Sequence, residues 1–92
     1  MGLKVHYRIH VTGMVQGVGF RWSVAIEAWK RGITGYVKNI SDGSVVIEAE
    51  GAREPLEEFA AWCRHGPGTW LVDNARVTEG PLAGYREFRI ER

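Results

Sequence analysis

A chain of 92 residues and 10.3 kDa has room for one domain around one hydrophobic core, with residues 1–92 folding together, and this excludes a multidomain machine. Hydrophobic residues at 45% and charged residues at 25% are the proportions of a globular chain and exclude a disordered one. Twelve Lys and Arg against eleven Asp and Glu leave a net charge of +1, without the basic excess of a dedicated nucleic-acid binder, so no nucleic-acid partner is expected.

From Val5 to Thr12 apolar and polar residues alternate, with Val5, Tyr7, Ile9 and Val11 on one side and His6, Arg8, His10 and Thr12 on the other, the pattern of a half-buried strand. Gly13 to Gly19 holds three glycines in seven residues. Phe20 to Arg31 then reads as a helix, with Phe20, Val24 and Ala28, plus Trp22, Ile26 and Trp29, at helical spacings, and Gly32 as its C-cap. Thr34 to Ile40 is a second strand, and Ser41-Asp42-Gly43-Ser44 a hairpin turn built around Asp-Gly. Val45 to Glu50 is the return strand. Pro55 lies near the start of a second helix whose one face carries Leu56, Phe59, Ala60 and Cys63, and His65-Gly66-Pro67-Gly68 stops it. Trp70 to Thr78 reads as a fourth strand, and after a turn-rich stretch Arg86 to Glu91 can add a short last one carrying Phe88 and Ile90.

The order βαββαβ, with room for an extra C-terminal strand, is the α+β split βαβ or ferredoxin-like sandwich: an antiparallel sheet with two helices on one face. Right-handed crossovers make the first two strands parallel, with the third running opposite between them. Parallel strands end on one edge of a sheet. The Gly13 to Gly19 loop, the first turn of the first helix and the end of the second strand near Asn39 are therefore expected to converge.

Glycines at 13, 17 and 19 permit positive φ and a close approach to the backbone amides, and the helix that follows adds its free N–H groups and positive dipole end. Arg21 lies in that first turn, where the dipole disfavours a cation by about 0.3 to 1 kcal/mol; a bound anion would account for it. A guanidinium can hold two phosphate oxygens at once. Taken alone, the loop is equally a glycine-rich strand-to-helix turn with Arg21 in solvent. It meets neither the dinucleotide fingerprint, since position 22 is Trp, nor the P-loop, which needs Gly-Lys-Ser/Thr.

Gly13-Met14-Val15-Gln16-Gly17-Val18-Gly19-Phe20-Arg21 resembles the acylphosphatase signature, Gly-x-Val-Gln-Gly-Val-x-Phe/Tyr-Arg, without a mismatch. Gly35-Tyr36-Val37-Lys38-Asn39, followed by Gly43, Val45 and Gly51, resembles the second signature of the same family. The resemblance covers nearly the whole chain. It implies a metal-free, cofactor-free hydrolase that cleaves the carboxyl-phosphate anhydride of an acyl phosphate to a carboxylate and inorganic phosphate, the phosphate acting also as an inhibitor. It further implies that Arg21 binds the phosphate with the backbone amides of Gln16, Gly17, Val18, Gly19 and Phe20, and that Asn39 orients the attacking water. Without the resemblance, Asn39 reads as a turn-initiating residue. Ser23 departs mildly from the family, whose members often carry an aromatic or apolar residue there.

A carboxylate leaves without protonation near neutral pH, so the lack of an acid-base pair is no objection, and orientation plus charge stabilisation can suffice. His6 and His10 lie roughly 13 Å apart along their strand, too far for one metal ion, and read as part of a solvated strand face. Trp29, Trp62 and Phe59 read as core, Cys63 as a buried packing residue and His65 as a helix-end residue. One cysteine excludes an internal disulfide, and no apolar run nears the roughly 18 residues of a spanning helix, so a soluble, unprocessed cytoplasmic monomer without a membrane partner is expected.

Two alternatives stand beside the enzyme. One is a non-catalytic acylphosphatase-like anion-binding domain, of the kind fused in hydrogenase-maturation carbamoyltransferases. The other is an RNA-binding ferredoxin-like module. Against the latter, a third strand with Val45, Ile47 and Ala49 toward the helices exposes Val46, Glu48 and Glu50, which lack an aromatic ring and repel phosphate; these acids are expected to pair with His6, Arg8 or His10.

Overall fold

The computed structural model describes residues 3–16, 18–66 and 71–92. Seven elements follow one another: β1 (Lys4–Met14), α1 (Val18–Lys30), β2 (Thr34–Asn39), β3 (Val45–Ala52), α2 (Arg53–His65), β4 (Leu71–Gly80) and β5 (Phe88–Glu91). The strands form one sheet in the order β4-β1-β3-β2-β5. β3 runs antiparallel to both β1 and β2, so β1 and β2 point the same way, and β4 is antiparallel to β1. The extra C-terminal strand is present. It pairs parallel with β2, Gly35 opposite Phe88 and Lys38 opposite Glu91, which makes the sheet mixed rather than wholly antiparallel. Trp70, expected to open the fourth strand, and Pro67 and Gly68, expected to stop α2, lie outside the described residues. No helix among the described residues is long and apolar enough to cross a membrane.

Strand alternation sorts the side chains. Val5, Tyr7, Ile9 and Val11 of β1 and Val45, Ile47 and Ala49 of β3 meet Phe20, Val24 and Ala28 of α1 and Leu56, Phe59, Ala60 and Cys63 of α2 in one core, so both helices cover the same face. α1 ends at Gly32, whose φ of 65° lets its amide reach the Trp29 carbonyl while the Ile33 amide reaches that of Ala28, the paired bonds of a Schellman cap. Gly35 has φ of 137°, and a Cβ there would fall on the Glu48 carbonyl oxygen of β3, so the close approach of β2 and β3 needs glycine.

Two expectations are corrected. At 100° per residue, Trp22 and Ile26 stand nearly opposite Phe20 and Val24, so only one of the two apolar stripes of α1 enters the core. Trp29 is 50% exposed, packs edge-on to Trp22, and donates from Nε1 to the Phe88 carbonyl of edge strand β5 at 3.1 Å. The far face of the sheet is not open either. Val46, Glu48 and Glu50 are buried, as is His6, and the acids pair as expected: His6 Nε2 with Glu48 at 2.6 Å, His6 Nδ1 with Glu50 at 2.7 Å and Arg8 with Glu48 at 2.7 Å. The segment between β4 and β5 contributes to this cover, since its amides bond Glu50 and the Tyr85 ring packs on His6 and Tyr36.

Candidate active site

The expected convergence at one sheet edge is built by side-chain bonds. β1 carries the chain to Gly13, whose φ of 130° coincides with a register shift against β4, and the loop beyond it turns toward α1. From that loop Gln16 donates through Nε2 to the carbonyls of Ile40 at 2.6 Å and Ser44 at 2.9 Å. The loop is thereby stitched to the turn that follows Asn39. The turn itself is closed by Ile40 N–H to Ser44 O, Gly43 N–H to Ile40 O and an Asp42 carboxylate that accepts from the Ser44 amide at 2.9 Å and hydroxyl at 2.6 Å. These bonds from Ser44 hold the Asp42 carboxyl below its ordinary range. His10 Nε2 lies 3.0 Å from the Ser44 hydroxyl.

α1 opens at Val18, two residues before its expected start, so Gly19 lies within the helix and is not among the glycines with positive φ. Gly17 lies outside the described residues. Phe20 is fully buried in the core and fixes the rotation of the helix, which leaves Arg21, one position on, half-buried beside β5. Arg21 donates from Nη1 to the Glu91 carbonyl at 2.7 Å, while its buried Nε has no partner among the described residues. Ser23 bonds back to the Gly19 carbonyl at 3.0 Å, satisfying its hydroxyl within the helix.

Asn39 is the last residue of β2, and its buried Oδ1 also has no partner among the described residues. Its relation to Arg21 follows from the register. Glu91, whose carbonyl holds Arg21, stands opposite Lys38, the residue before Asn39. The guanidinium is therefore tethered to the strand that neighbours β2, at the level of the residue before Asn39. An orphaned cationic donor and an orphaned amide acceptor thus belong to the same end of β2. Buried polar groups are rarely left unpaired, and a pair of opposite hydrogen-bonding character fits an anion and a water held side by side.

Two contributors were not expected from residue types: the Gln16 side chain, counted only for its backbone amide, and the Glu91 carbonyl. Both act on or through backbone atoms, which carry no residue signature. Among the remaining residues considered, Cys63 is fully buried and burial pushes its thiol far up, in keeping with packing. His65 ends α2, with the Gly66 amide closing on Trp62.

Comparison with known proteins adds to this geometry. The family model for acylphosphatase matches residues 7–90. A protein of Trichormus variabilis named acylphosphatase is 42% identical over 90 residues, which are 98% of this chain and 87% of that one. The crystal structure of acylphosphatase from Bacillus subtilis superposes with a TM-score of 0.90 at 44% identity, covering 96% of this chain and 99% of that one. The crystal structure of full-length HypF in its phosphate- and nucleotide-bound form gives a TM-score of 0.87 at 28% identity, covering all of this chain and 12% of that one.

Proposed function

The chain belongs to the acylphosphatase family and is a hydrolase of acyl phosphates, and we propose that Arg21 and the amides of residues 16–20 hold the phosphoryl group while Asn39 aims the water that attacks it. The observation that carries this assignment is the pair of buried, unpartnered atoms, Arg21 Nε and Asn39 Oδ1, at one end of β2.

The chemistry suits those two groups. With Nη1 anchored on Glu91, the edge of the guanidinium bearing Nε–H and Nη2 faces a ligand, and that edge spans two oxygens of one phosphoryl group. The carboxamide oxygen of Asn39 accepts a hydrogen bond from the water and turns its lone pair toward phosphorus, without a charge that would repel the substrate. The water oxygen bonds to phosphorus, and the bond from phosphorus to the acyl oxygen breaks. The carboxylate leaves with that electron pair, and the water proton passes to the phosphate and solvent. Charge that builds on the equatorial oxygens is met by donors already in place. The family resemblance implies that no metal takes part.

The reading extends to a cytoplasmic monomer with one domain over residues 1–92 that binds no nucleic acid; a near-neutral charge and one buried thiol support it. The test is direct. Purified protein should hydrolyse benzoyl phosphate with competitive inhibition by inorganic phosphate, retain that activity in EDTA and leave a short RNA unbound. Loss of activity in EDTA that added metal restores refutes the metal-free mechanism, and RNA binding without hydrolysis refutes the enzyme.

A further inference from the structure

Glu50 has no part in the chemistry above, yet it is 2% exposed and accepts four hydrogen bonds. Oε1 takes the amides of Gly84 at 3.0 Å and Tyr85 at 3.3 Å, while Oε2 takes Nδ1 of His6 at 2.7 Å and the amide of Ala83. Three consecutive amides of an irregular connection therefore close on one carboxylate of the central strand β3. The Tyr85 ring lies over His6 and meets Tyr36 edge-on, its centroid 5.9 Å from each, so the connection is held at the point where it leaves the far face and turns into β5. Two residues later the Glu87 carbonyl accepts the Gly35 amide at 2.8 Å, and Phe88 enters the core against Phe59. At the other end of the same short strand, Glu91 presents the carbonyl that holds Arg21.

We propose that Glu50 is a positioning residue for the phosphate clamp: by holding the amides of residues 83–85 it sets how β5 enters the sheet, and through the Glu91 carbonyl it sets the aim of the Arg21 fork. The proposal rests on Arg21 as the phosphate ligand. Phe88 keeps β5 in the sheet with or without the carboxylate, so what Glu50 controls is alignment rather than the presence of the strand. A misaligned fork weakens substrate and phosphate alike, which raises KM and the phosphate inhibition constant together.

The test uses Glu50→Gln, which keeps one acceptor oxygen but removes the charge, in wild-type and Arg21→Lys backgrounds, with thermal melts on every variant. In the wild-type background the phosphate inhibition constant and the KM for benzoyl phosphate should rise by the same factor, about three- to tenfold, with kcat within about twofold. In the Arg21→Lys background, where no fork remains to be aimed, the same change should move the inhibition constant by less than about twofold. A lowered Tm with an unchanged inhibition constant, or equal losses in both backgrounds, overturns the proposal. Should Arg21→Lys itself leave phosphate inhibition untouched, it is the assignment of Arg21 that falls. If Glu50→Gln does not fold, Ala83→Pro removes one amide donor and leaves both buried carboxylates in place; it carries the same expectation and the same refutation.

Discussion

Arg21 is a cation in the first turn of a helix, with a buried Nε that no group among the described residues satisfies. The dipole term costs about 0.3 to 1 kcal/mol and the unmet donor about 1 to 3 kcal/mol, partly offset by the bond to Glu91. The residue is better placed for an anion than for the fold. Arg21→Gln should therefore lose benzoyl phosphate turnover by about 10³-fold and weaken phosphate inhibition, while unfolding stability changes by no more than about 1 kcal/mol. Steady-state kinetics beside a denaturant titration check both halves, and near-normal turnover in the folded variant would refute the assignment. Asn39 separates the two roles. Asn39→Ala should cut turnover by about 10²- to 10³-fold yet leave the phosphate inhibition constant within about twofold, because the water and not the phosphate loses its partner. A collapse of phosphate binding in that variant would make Asn39 a phosphate ligand instead.

Among elements, the turn after β2 depends on the loop after β1 through the Gln16 side chain. Its two acceptor carbonyls each keep a backbone donor, Gly43 N–H at Ile40 and Ile40 N–H at Ser44, so Gln16→Ala should cost only about 1 kcal/mol. Turnover should nonetheless fall about tenfold as the end of β2 loosens around Asn39, and Gln16→Glu should not restore it, since a carboxylate has no N–H to offer two carbonyls. Unchanged kcat in Gln16→Ala would reduce Gln16 to a surface contact. How far such features can be read from sequence depends on how local they are. The alternation of β1, the Asp42-Gly43 turn and the Leu56, Phe59, Cys63 face are set by neighbours in the chain, and each element formed where its pattern lay. Arg21 and Asn39 could be singled out as candidates because each closes one of two motifs. The second apolar stripe of α1 misled because spacing alone does not say which of two faces a sheet will cover. The burial of Glu48 and Glu50 was invisible because part of what covers them comes from a connection more than 30 residues away whose amides do the bonding and carry no pattern.

At the scale of the whole molecule, the far face of the sheet holds a buried charge cluster that links stability to pH. His6 on β1 stands between Glu48 and Glu50 of β3, with Arg8 on Glu48, Tyr85 over the ring and the amides of 83–85 on Glu50; Glu79 of β4 lines the same depression. Burial alone would lower the His6 pKa, but hydrogen bonds to Glu50 and Glu48 and their charges outweigh it and raise it above 6.5. Burial likewise works against ionised Glu50, and the Ala83 amide, His6 and the Gly84 and Tyr85 amides together bring its pKa below 4.5. The signs differ. The contribution of His6 is complete below its unfolded pKa of about 6.5 and disappears as pH rises through the higher folded value; that of Glu50 is complete above about 4.5 and disappears as pH falls through the lower folded value. Both are present in full between those limits, so stability should be greatest there. The acid limb is shared with Glu27, which Arg31 and Lys30 hold low, and so it does not isolate the cluster. The alkaline limb does. From pH 6 to 8, below the range in which the buried Cys63 thiol adds a decline of its own, the wild-type midpoint in denaturant should fall, whereas His6→Gln should start lower at pH 6 and stay flat across that interval. A variant that declines in parallel with the wild type would show that the proton lost in this range is not the one shared between His6 and its two carboxylates.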